Sequence, residues 1–397
     1  MALRQKQIFW IDKMKEDHPS ITKMMKTLAS DEGRASYAYK LQQFMVFAVD
    51  KKYVKHIEDF ESLLTYDTEQ LTDILEDFVN YLENRGLVSS SVAVTLTAVE
   101  LFFEMNRRIW HKKLVKRSIQ KENRISGGGE PATTEDLNLM LKYCERSVRK
   151  RAIILFLGST GIRPGGLIDP VLRMRHLVWM PDPANPTRNP EYCYAVKIYD
   201  SSKEGYWVFL TPEATKTLRR YFDSRKRTGE EITPESPIFA NIETRWKSKY
   251  EYLSDSNLQS ILSKIINGSG VTRKKIGNTY DKSVVYMFRK RFNTILKINN
   301  SVNSNIAEKL MAHKRGLDGV YLQPTREQCF AEFVKAIPDL TIDQTEKQKA
   351  IIEIKNKKID ELASTKEENY LQKDEIARLA QAVDYLMKKE HLKQIEN

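Results

Sequence analysis

Five side chains between positions 163 and 321 belong to types that together could act on a phosphate group. Two arginines can hold the oxygens of a phosphodiester through paired, permanently charged hydrogen bonds, and a histidine can add a further donor. A tyrosine can attack as a covalent nucleophile if a base or a positive field helps it to lose its proton. A lysine can give a proton to the leaving oxygen. In chain order these residues are Arg163, Lys203, Arg289, His313 and Tyr321.

The first two of these residues lie at predicted turns. Arg163 follows a short apolar helix, 152–157, and a turn at Gly161. Lys203 lies in the turn of a predicted β-hairpin, because alternating apolar residues precede that turn and follow it. A lysine in a turn is common in any soluble protein, so this feature carries weight only together with the others.

The other three lie farther along the chain. Arg289 shares a predicted helix face with Tyr286, three residues earlier, and His313 precedes Tyr321 by a short turn that contains Gly316. A tyrosine is more often part of a core than a nucleophile. The hypothesis therefore depends on the order and spacing of all five residues.

That order resembles the tyrosine recombinase family of phage-type integrases. The segment TGIRPGGL resembles the first arginine box and aligns its arginine with Arg163, and the hairpin lysine of the family falls on Lys203. YMFRKRF resembles the second arginine box, His-x-x-Arg followed by an aromatic residue, and gives Arg289. MAHKRGLDGVYLQPT resembles the Gly-His pair with its downstream tyrosine, and gives His313 and Tyr321. The eight-residue step between the last two, and the YxxPT that follows, are most similar to archaeal members.

The resemblance covers about residues 131–340 and implies a mechanism. Two arginines and the histidine would cradle the scissile phosphate, and Tyr321 would attack it to form a 3′-phosphotyrosyl link. Lys203 would protonate the departing 5′ oxygen, and the freed hydroxyl would attack a partner duplex. The resemblance further implies that neither a metal nor a cofactor is required, and that four protomers assemble on double-stranded DNA.

Three positions depart from the family pattern. Tyr286 stands where the second box usually has histidine; its hydroxyl could still hydrogen-bond the scissile phosphate. Gly166 stands where an acidic residue usually supports the site, three residues after the first arginine. Either Asp169 supplies that carboxylate or the support comes from elsewhere. Ala312 replaces the glycine before the boxed histidine.

The segment 1–125 is predicted to be a helical DNA-binding domain that resembles the core-binding domain of the family. Residues 71–82 place apolar side chains on one helix face, with Gly86 at the expected end, and a second helix begins near Ser89. A basic tract follows, which we interpret as a surface that tracks phosphates rather than a merely solvated helix face. The DNA-binding candidates are Arg107, Arg108, Lys112, Lys113, Lys116 and Arg117, together with Lys290 and Arg291 beside the second arginine box.

A glycine-rich linker, 126–131, separates this domain from a catalytic domain, 132–340. The predicted fold class is mainly α with a small antiparallel β-sheet, that is, α+β. A charged helical tail, 341–397, carries two short heptad blocks. It could bind a partner or oligomerise as a coiled coil, or it could be a single solvated helix.

The net charge and the composition of the chain favour a nucleic-acid partner. The formal net charge is +12 over 397 residues, and 30% of the residues are charged. No apolar run approaches the roughly 20 residues of a membrane span, and the N-terminus lacks a signal-peptide pattern. Three widely spaced cysteines predict neither a disulfide framework nor a zinc site. These features predict a cytoplasmic, nucleoid-associated protein that makes no membrane contact.

The sequence thus predicts a site-specific DNA recombinase, most simply the integrase of a mobile element. Two alternatives remain open. One is a chromosome-dimer resolvase or a topoisomerase that uses the same tyrosine chemistry. The other is a catalytically inactive DNA-binding accessory protein, which the departures at Gly166 and Tyr286 would suit.

Overall fold

The computed structural model describes residues 18–120, 129–183, 185–200, 202–241, 251–276, 279–313 and 321–395. The chain divides into two compact units, Met1–Ser126 and Gly127–Asn397. The predicted fold class is confirmed, because the described residues are mostly helical and include one small antiparallel sheet of three strands.

The first unit is built from helices around an aromatic core. Phe44 lies at its centre, with its ring centroid 5.0 Å from that of Phe78 and 5.8 Å from that of Phe60. All three rings are fully buried, and each such side chain stabilises the unit by about 1.5–3 kcal/mol. The elements are α1 Pro19–Lys26, α2 Asp31–Asp50, a 3-10 helix Ile57–Thr65, α3 Thr68–Asn84, α4 Ser89–Met105 and α5 Lys112–Ser118.

Local signals set the bounds of α3. The Asp67 side chain accepts a hydrogen bond from the backbone of Gln70, and the Gln70 side chain accepts one from the backbone of Asp67, so both orphan donors of the first turn are satisfied. Just past its end, Gly86 adopts a φ of 78°, a conformation that glycine reaches without strain. The helix predicted over 71–82 is confirmed, with its apolar face buried.

The second unit surrounds α7 Val148–Thr160, a helix whose residues 152–160 are all buried. Helices α6 Thr134–Tyr143 and α9 Pro212–Arg227 pack against it. The remaining helices are α8 Gly165–Ile168, a 3-10 helix Met174–His176, α10 Asp255–Gly268, α11 Tyr286–Ile298, α12 Ser304–Leu310, α13 Arg326–Leu340 and α14 Gln344–Ile395.

The sheet has the order β1-β2-β3, with β1 Leu177–Met180, β2 Cys193–Ile198 and β3 Tyr206–Phe209. The predicted hairpin is confirmed: β2 and β3 are antiparallel, and Lys197 lies opposite Trp207. The strand β1, which pairs Leu177 with Val196, was not predicted. A short second ladder joins β4 Lys275–Ile276 to β5 Thr279–Tyr280.

The described end of the predicted linker is held in place. Gly129 has a φ of 98°, and a Cβ there would lie 2.3 Å from the carbonyl oxygen of Asp281. The backbone N–H of Glu130 donates to that same oxygen. Residues 126–128, the remainder of the glycine run, lie outside the described residues.

The tail is one helix, α14, of 52 residues. Apolar side chains of both predicted heptad blocks are exposed, among them Ile352, Ile359, Ile376 and Leu379. No described helix is long and apolar enough to cross a membrane. All three cysteines are buried and unpaired.

Candidate active site

A glycine turn directs the chain at Arg163. Helix α7 ends at Gly161, which has a φ of 56°, and a Cβ there would lie 2.7 Å from the ring of Phe292 on α11. Only glycine fits this close approach in this conformation. The chain therefore turns sharply after the apolar helix, as the sequence predicts, and Arg163 emerges half-buried beyond the turn.

Arg289 connects three separate elements. Its guanidinium is buried and donates to the carbonyl oxygen of Gly161 at 2.8 Å and to that of Met311 at 2.6 Å. A nitrogen of the same group lies 3.0 Å from Nε2 of His313. The ends of α7 and α12 and the first turn of α11 thus meet at one side chain.

His313 is oriented from its other side by Glu308. Nδ1 of the imidazole lies 2.6 Å from a carboxylate oxygen of Glu308, and the His313 backbone N–H donates to the Glu308 carbonyl at 2.9 Å. Between them Ala312 adopts a φ of 50°. A left-handed conformation costs a non-glycine residue roughly 1–2 kcal/mol. The turn before the histidine thus explains why glycine suits this position and shows that alanine is accommodated.

The two arginines place like charges side by side. Burial lowers the pKa of Arg289, and the positive charge of Arg163 lowers it further. Burial raises the pKa of Tyr206 to about 12, while the charges of Arg289 and Arg163 oppose that rise. The Tyr206 hydroxyl is buried close to the Arg289 guanidinium. The region therefore brings two cations and a buried hydroxyl together.

Two side chains from the hairpin complete this region, and the sequence did not predict either. Tyr206 begins β3, and Tyr199 follows β2 with a φ of 52°. Burial raises the pKa of Tyr199, and Arg163 and Arg289 again act in the opposite direction. Alternation along the strands predicted the hairpin but does not reveal which of its aromatic residues faces an arginine.

The hairpin also explains why glycine stands at position 166. A Cβ at Gly166 would lie 2.9 Å from the side chain of Ile198, and one at Gly165 would lie 3.2 Å from the Tyr199 hydroxyl. The space in which a supporting carboxylate would stand at this position is thus already occupied. Asp169, the other candidate for that role, is exposed.

Tyr286 lies at the start of α11, one turn before Arg289. Its side chain is exposed, and its phenol is close enough to influence the Arg289 pKa. Tyr286 therefore lies near Arg289 and is accessible to solvent.

Lys203 and Tyr321 are not brought into this cluster. Lys203 is exposed in the hairpin turn, and Tyr321 is 77% exposed. No hydrogen bond or ion pair among the described residues joins either of them to the arginines, and 314–320 lie outside the described range. Five residues after Tyr321, Arg326 begins α13, and its guanidinium lies 5.4 Å from the ring centroid of Trp207 on β3. This contact ties the segment that bears Tyr321 to the strand that also bears Tyr206.

The prediction that Arg291 contacts DNA is wrong. Arg291 is only 3% exposed and donates to the carbonyl oxygens of Asp339 and Leu340 and to the Thr134 hydroxyl. It holds α11 against the end of α13 and the start of α6. Lys290 is half-buried and donates to the Gly129 carbonyl at 2.7 Å, so it fixes the end of the linker.

The basic tract of the first unit is partly neutralised. The ammonium groups of Lys112 and Lys116 lie 3.1 Å and 2.9 Å from the carboxylate of Glu100 on α4. The sequence shows few acids within the tract itself, but the fold brings this one from a neighbouring helix. Among the other candidates, Arg108 is half-buried, and those exposed are Arg107, Lys113 and Arg117.

A search of the described residues finds no group of three His, Cys, Asp or Glu side chains that could hold a metal ion. No family model matches the sequence, and no curated protein matches it.

Solved structures that resemble this chain include recombinases and integrases. XerH site-specific recombinase, bound to its difH substrate before cleavage, is 16% identical, with a TM-score of 0.49; the match covers 75% of this chain and 78% of that one. A lambda integrase fragment bound as a dimer to a COC′ core site is 13% identical, with a TM-score of 0.47 and coverage of 80% and 97%. XerA recombinase is 14% identical, with a TM-score of 0.34 and coverage of 84% and 97%. Because these TM-scores lie below 0.5, the function of this chain has to be inferred from its own side chains.

Proposed function

We propose that this protein is a site-specific DNA recombinase, the integrase of a mobile element, which cuts and rejoins DNA through a 3′-phosphotyrosyl intermediate. The observation that carries the proposal is the pairing of two arginines with a histidine. Arg289 is buried beside Arg163 and within 3.0 Å of His313, three residues that lie up to 150 positions apart in the sequence (163 to 313).

A phosphodiester fits this arrangement because of its charge and shape. It carries one negative charge, and further charge develops on its non-bridging oxygens as the nucleophile attacks. The Arg289 guanidinium, which is fixed by Gly161 and Met311, needs little reorganisation to meet that charge, which is how preorganised donors accelerate a reaction. His313 adds a third donor, and the Tyr286 hydroxyl adds one from the solvent side.

Tyr321 is the nucleophile in this proposal: its oxygen bonds to the phosphorus as the bond from phosphorus to the 5′ oxygen breaks, and its phenolic proton passes to solvent. Its exposure and the short tether to α13 suit a residue that reaches a phosphate held on the arginines, in its own protomer or in a neighbour. Lys203, on the exposed hairpin turn, donates the proton that the departing 5′ oxygen needs. The first unit holds the duplex through its exposed cations, and four protomers on two duplexes form the active assembly.

The test is covalent trapping on a duplex with a nick close to the cleavage point, so that the cut strand diffuses away. The wild type should form an adduct that survives denaturation, and Tyr321→Phe should form none while binding the duplex normally. Tyr280→Phe is a matched control, since Tyr280 is also exposed but stacks on Arg273 away from the cluster. An undiminished adduct in Tyr321→Phe would refute the assignment.

The same assay separates the alternatives. An inactive accessory protein would bind the duplex and form no adduct at all. A topoisomerase would form the adduct at Tyr321 and relax supercoiled DNA without joining strands of two duplexes. A recombinase yields both the adduct and products that contain DNA from both partners.

A further inference from the structure

A second charged group supports the histidine of the candidate active site. Glu308, on α12, accepts from two sides: one carboxylate oxygen contacts the ammonium of Lys297 on α11, and the other lies 2.6 Å from Nδ1 of His313. The Glu308 side chain is 13% exposed and that of His313 is 27% exposed. A carboxylate so deeply placed requires partners for both oxygens, and it has them.

The backbone also brings His313 back to Glu308. Helix α12 ends at Leu310, and the carbonyl of Glu308 accepts hydrogen bonds from the backbone N–H groups of Met311 and His313. The left-handed turn at Ala312 then folds the chain back, so that the imidazole lies over the carboxylate. The main chain and the side chain of Glu308 therefore both hold His313.

The contact also decides which ring nitrogen carries the proton. Burial opposes the charge on Glu308, but the hydrogen bonds from Lys297 and His313 outweigh it and hold the pKa of that carboxyl below its usual range. An ionised carboxylate only accepts, so Nδ1 of His313 must carry a hydrogen. Nε2 then faces Arg289 and accepts from it in the neutral ring. Once that N–H of Arg289 has turned to a phosphate oxygen, Nε2 is available to take up a proton and donate to the same phosphate.

We propose that Glu308 is the positioning residue of this site: its carboxylate fixes the ring orientation and the Nδ1–H tautomer of His313, and stabilises the imidazolium that donates to the substrate phosphate. This role rests on the proposed function of the cluster. Glu308 thereby supplies, from another helix, the supporting negative charge that position 166 cannot supply because Ile198 occupies the space there.

The first test is a spectroscopic one on the full-length protein. The chain has six histidines, so ¹⁵N-histidine labelling with a His313→Ala variant identifies the ring of His313. The wild type should show a hydrogen on Nδ1, and Glu308→Gln should shift the ring toward the Nε2–H tautomer. A wild-type ring protonated on Nε2 alone, or a pattern that is the same in Glu308→Gln, would overturn the proposal.

The second test is a double-mutant cycle in the trapping assay. Glu308→Gln should slow adduct formation about 10- to 100-fold, the effect typical of a partner that orients a functional histidine. In a His313→Ala background the same change should cost less than about threefold, because the two residues act as a unit. Losses that simply multiply would show that Glu308 does not act through His313.

Glu332→Gln is the matched control. Glu332 is 16% exposed, pairs with Lys335 at 2.7 Å and accepts from the backbone of Asn303, so it has the same kind of partners at the opposite end of α12 from His313. It should change neither the His313 spectrum nor the adduct rate. If the wild type forms no adduct, the proposed function fails, whereas the spectrum still decides whether Glu308 fixes the tautomer.

Discussion

Arg289 and Arg291 lie two residues apart on α11, and both are buried, yet the charges of the groups around them differ in sign. Each donates to two backbone carbonyls. The strongest charge that acts on Arg289 is that of another arginine, Arg163. Burial lowers the pKa of Arg291 to about 10, but the charges that act on Arg291 are the carboxylates of Glu213, Asp339 and Glu135, which oppose that fall.

This difference separates a structural cation from one that can bind a ligand. Arg291 has its counter-charges within the fold, so its electrostatic needs are met when the chain folds. Arg289 and Arg163 repel each other until an anion arrives, and a fold that keeps them together costs stability that binding can recover. Burial alone would not distinguish the two arginines, whereas the sign of their neighbours does.

The largest expected effect is on the rate of adduct formation. Arg289→Lys should slow adduct formation by about 10²- to 10³-fold, because one ammonium cannot hold Gly161, Met311 and a phosphate oxygen with the geometry of a guanidinium. Trapping on the nicked duplex measures this rate. Arg291→Lys, corrected for its folded fraction, should stay within about threefold of the wild type. Equal losses of rate in the two variants would show that the two arginines do not differ in function.

The next largest effect is on stability, and here we expect the Arg291 variant to lose more than the Arg289 variant. Arg291→Met leaves the carbonyls of Asp339 and Leu340 without their donor, which should lower the free energy of unfolding by about 1–3 kcal/mol. Urea unfolding followed by circular dichroism measures this. Arg289→Lys keeps a donor and should lose less. A larger loss in Arg289→Lys would mean that Arg289 is the structural residue.

A tetrahedral anion should distinguish the two sites without any DNA. Sulfate at a few times its Kd should stabilise the wild type by about 1 kcal/mol, since a ligand that binds only the folded state adds RT ln(1 + [L]/Kd). Arg291→Met should retain this gain, and Arg289→Lys should lose most of it. Thermal unfolding in sulfate, against chloride at equal ionic strength, provides the measurement. The same gain in all three proteins would indicate a general salt effect.

The smallest effect concerns the first unit, where the same reasoning applies to lysines. Glu100→Gln removes the carboxylate that now pairs with Lys112 and Lys116. Duplex affinity should rise a few-fold, and its dependence on the logarithm of salt concentration should steepen by about 1–2, since each new phosphate contact adds about 0.9. Fluorescence anisotropy over a salt series measures both quantities.

Glu104→Gln is the control for that variant, because Glu104 is more exposed and lies 3.7 Å from Lys112. It should leave the slope nearly unchanged. A Glu100→Gln slope equal to that of the wild type would show that these two lysines do not face the duplex.

Local signals predicted much of the fold. The capping pattern at Asp67, the glycine at position 86 and the alternation around the hairpin each specify nearby backbone geometry, and the structure follows them. Strand β1 was missed because its partner lies beyond a proline-rich loop. The equally short β3 was found because a tight turn joins it to β2, whereas no such turn marks β1.

Within the candidate site, the meeting of Arg163, Arg289 and His313 was implied by the family that their motifs resemble, whereas the supporting contacts were not. Tyr206 is brought to the arginines only by tertiary packing. Glu308 lies five residues before His313, a separation that does not predict contact unless the chain turns back at Ala312.

The error at Arg291 had a detectable signal. Residues two apart on a helix point about 200° from each other, so Arg289 and Arg291 lie on opposite sides of α11. With Arg289 directed at the cluster, Arg291 is directed at the packing of α11 against α13 and α6.

The most direct measurement is the identity of the residue that becomes linked to DNA. Wild-type protein trapped on the nicked duplex, digested with trypsin and nuclease, can be analysed by mass spectrometry. A nucleotide attached through its 3′ phosphate to Tyr321, in the peptide that spans residues 316–326, is the predicted result. Attachment at another residue, or no adduct from folded protein that binds the duplex, would contradict the account.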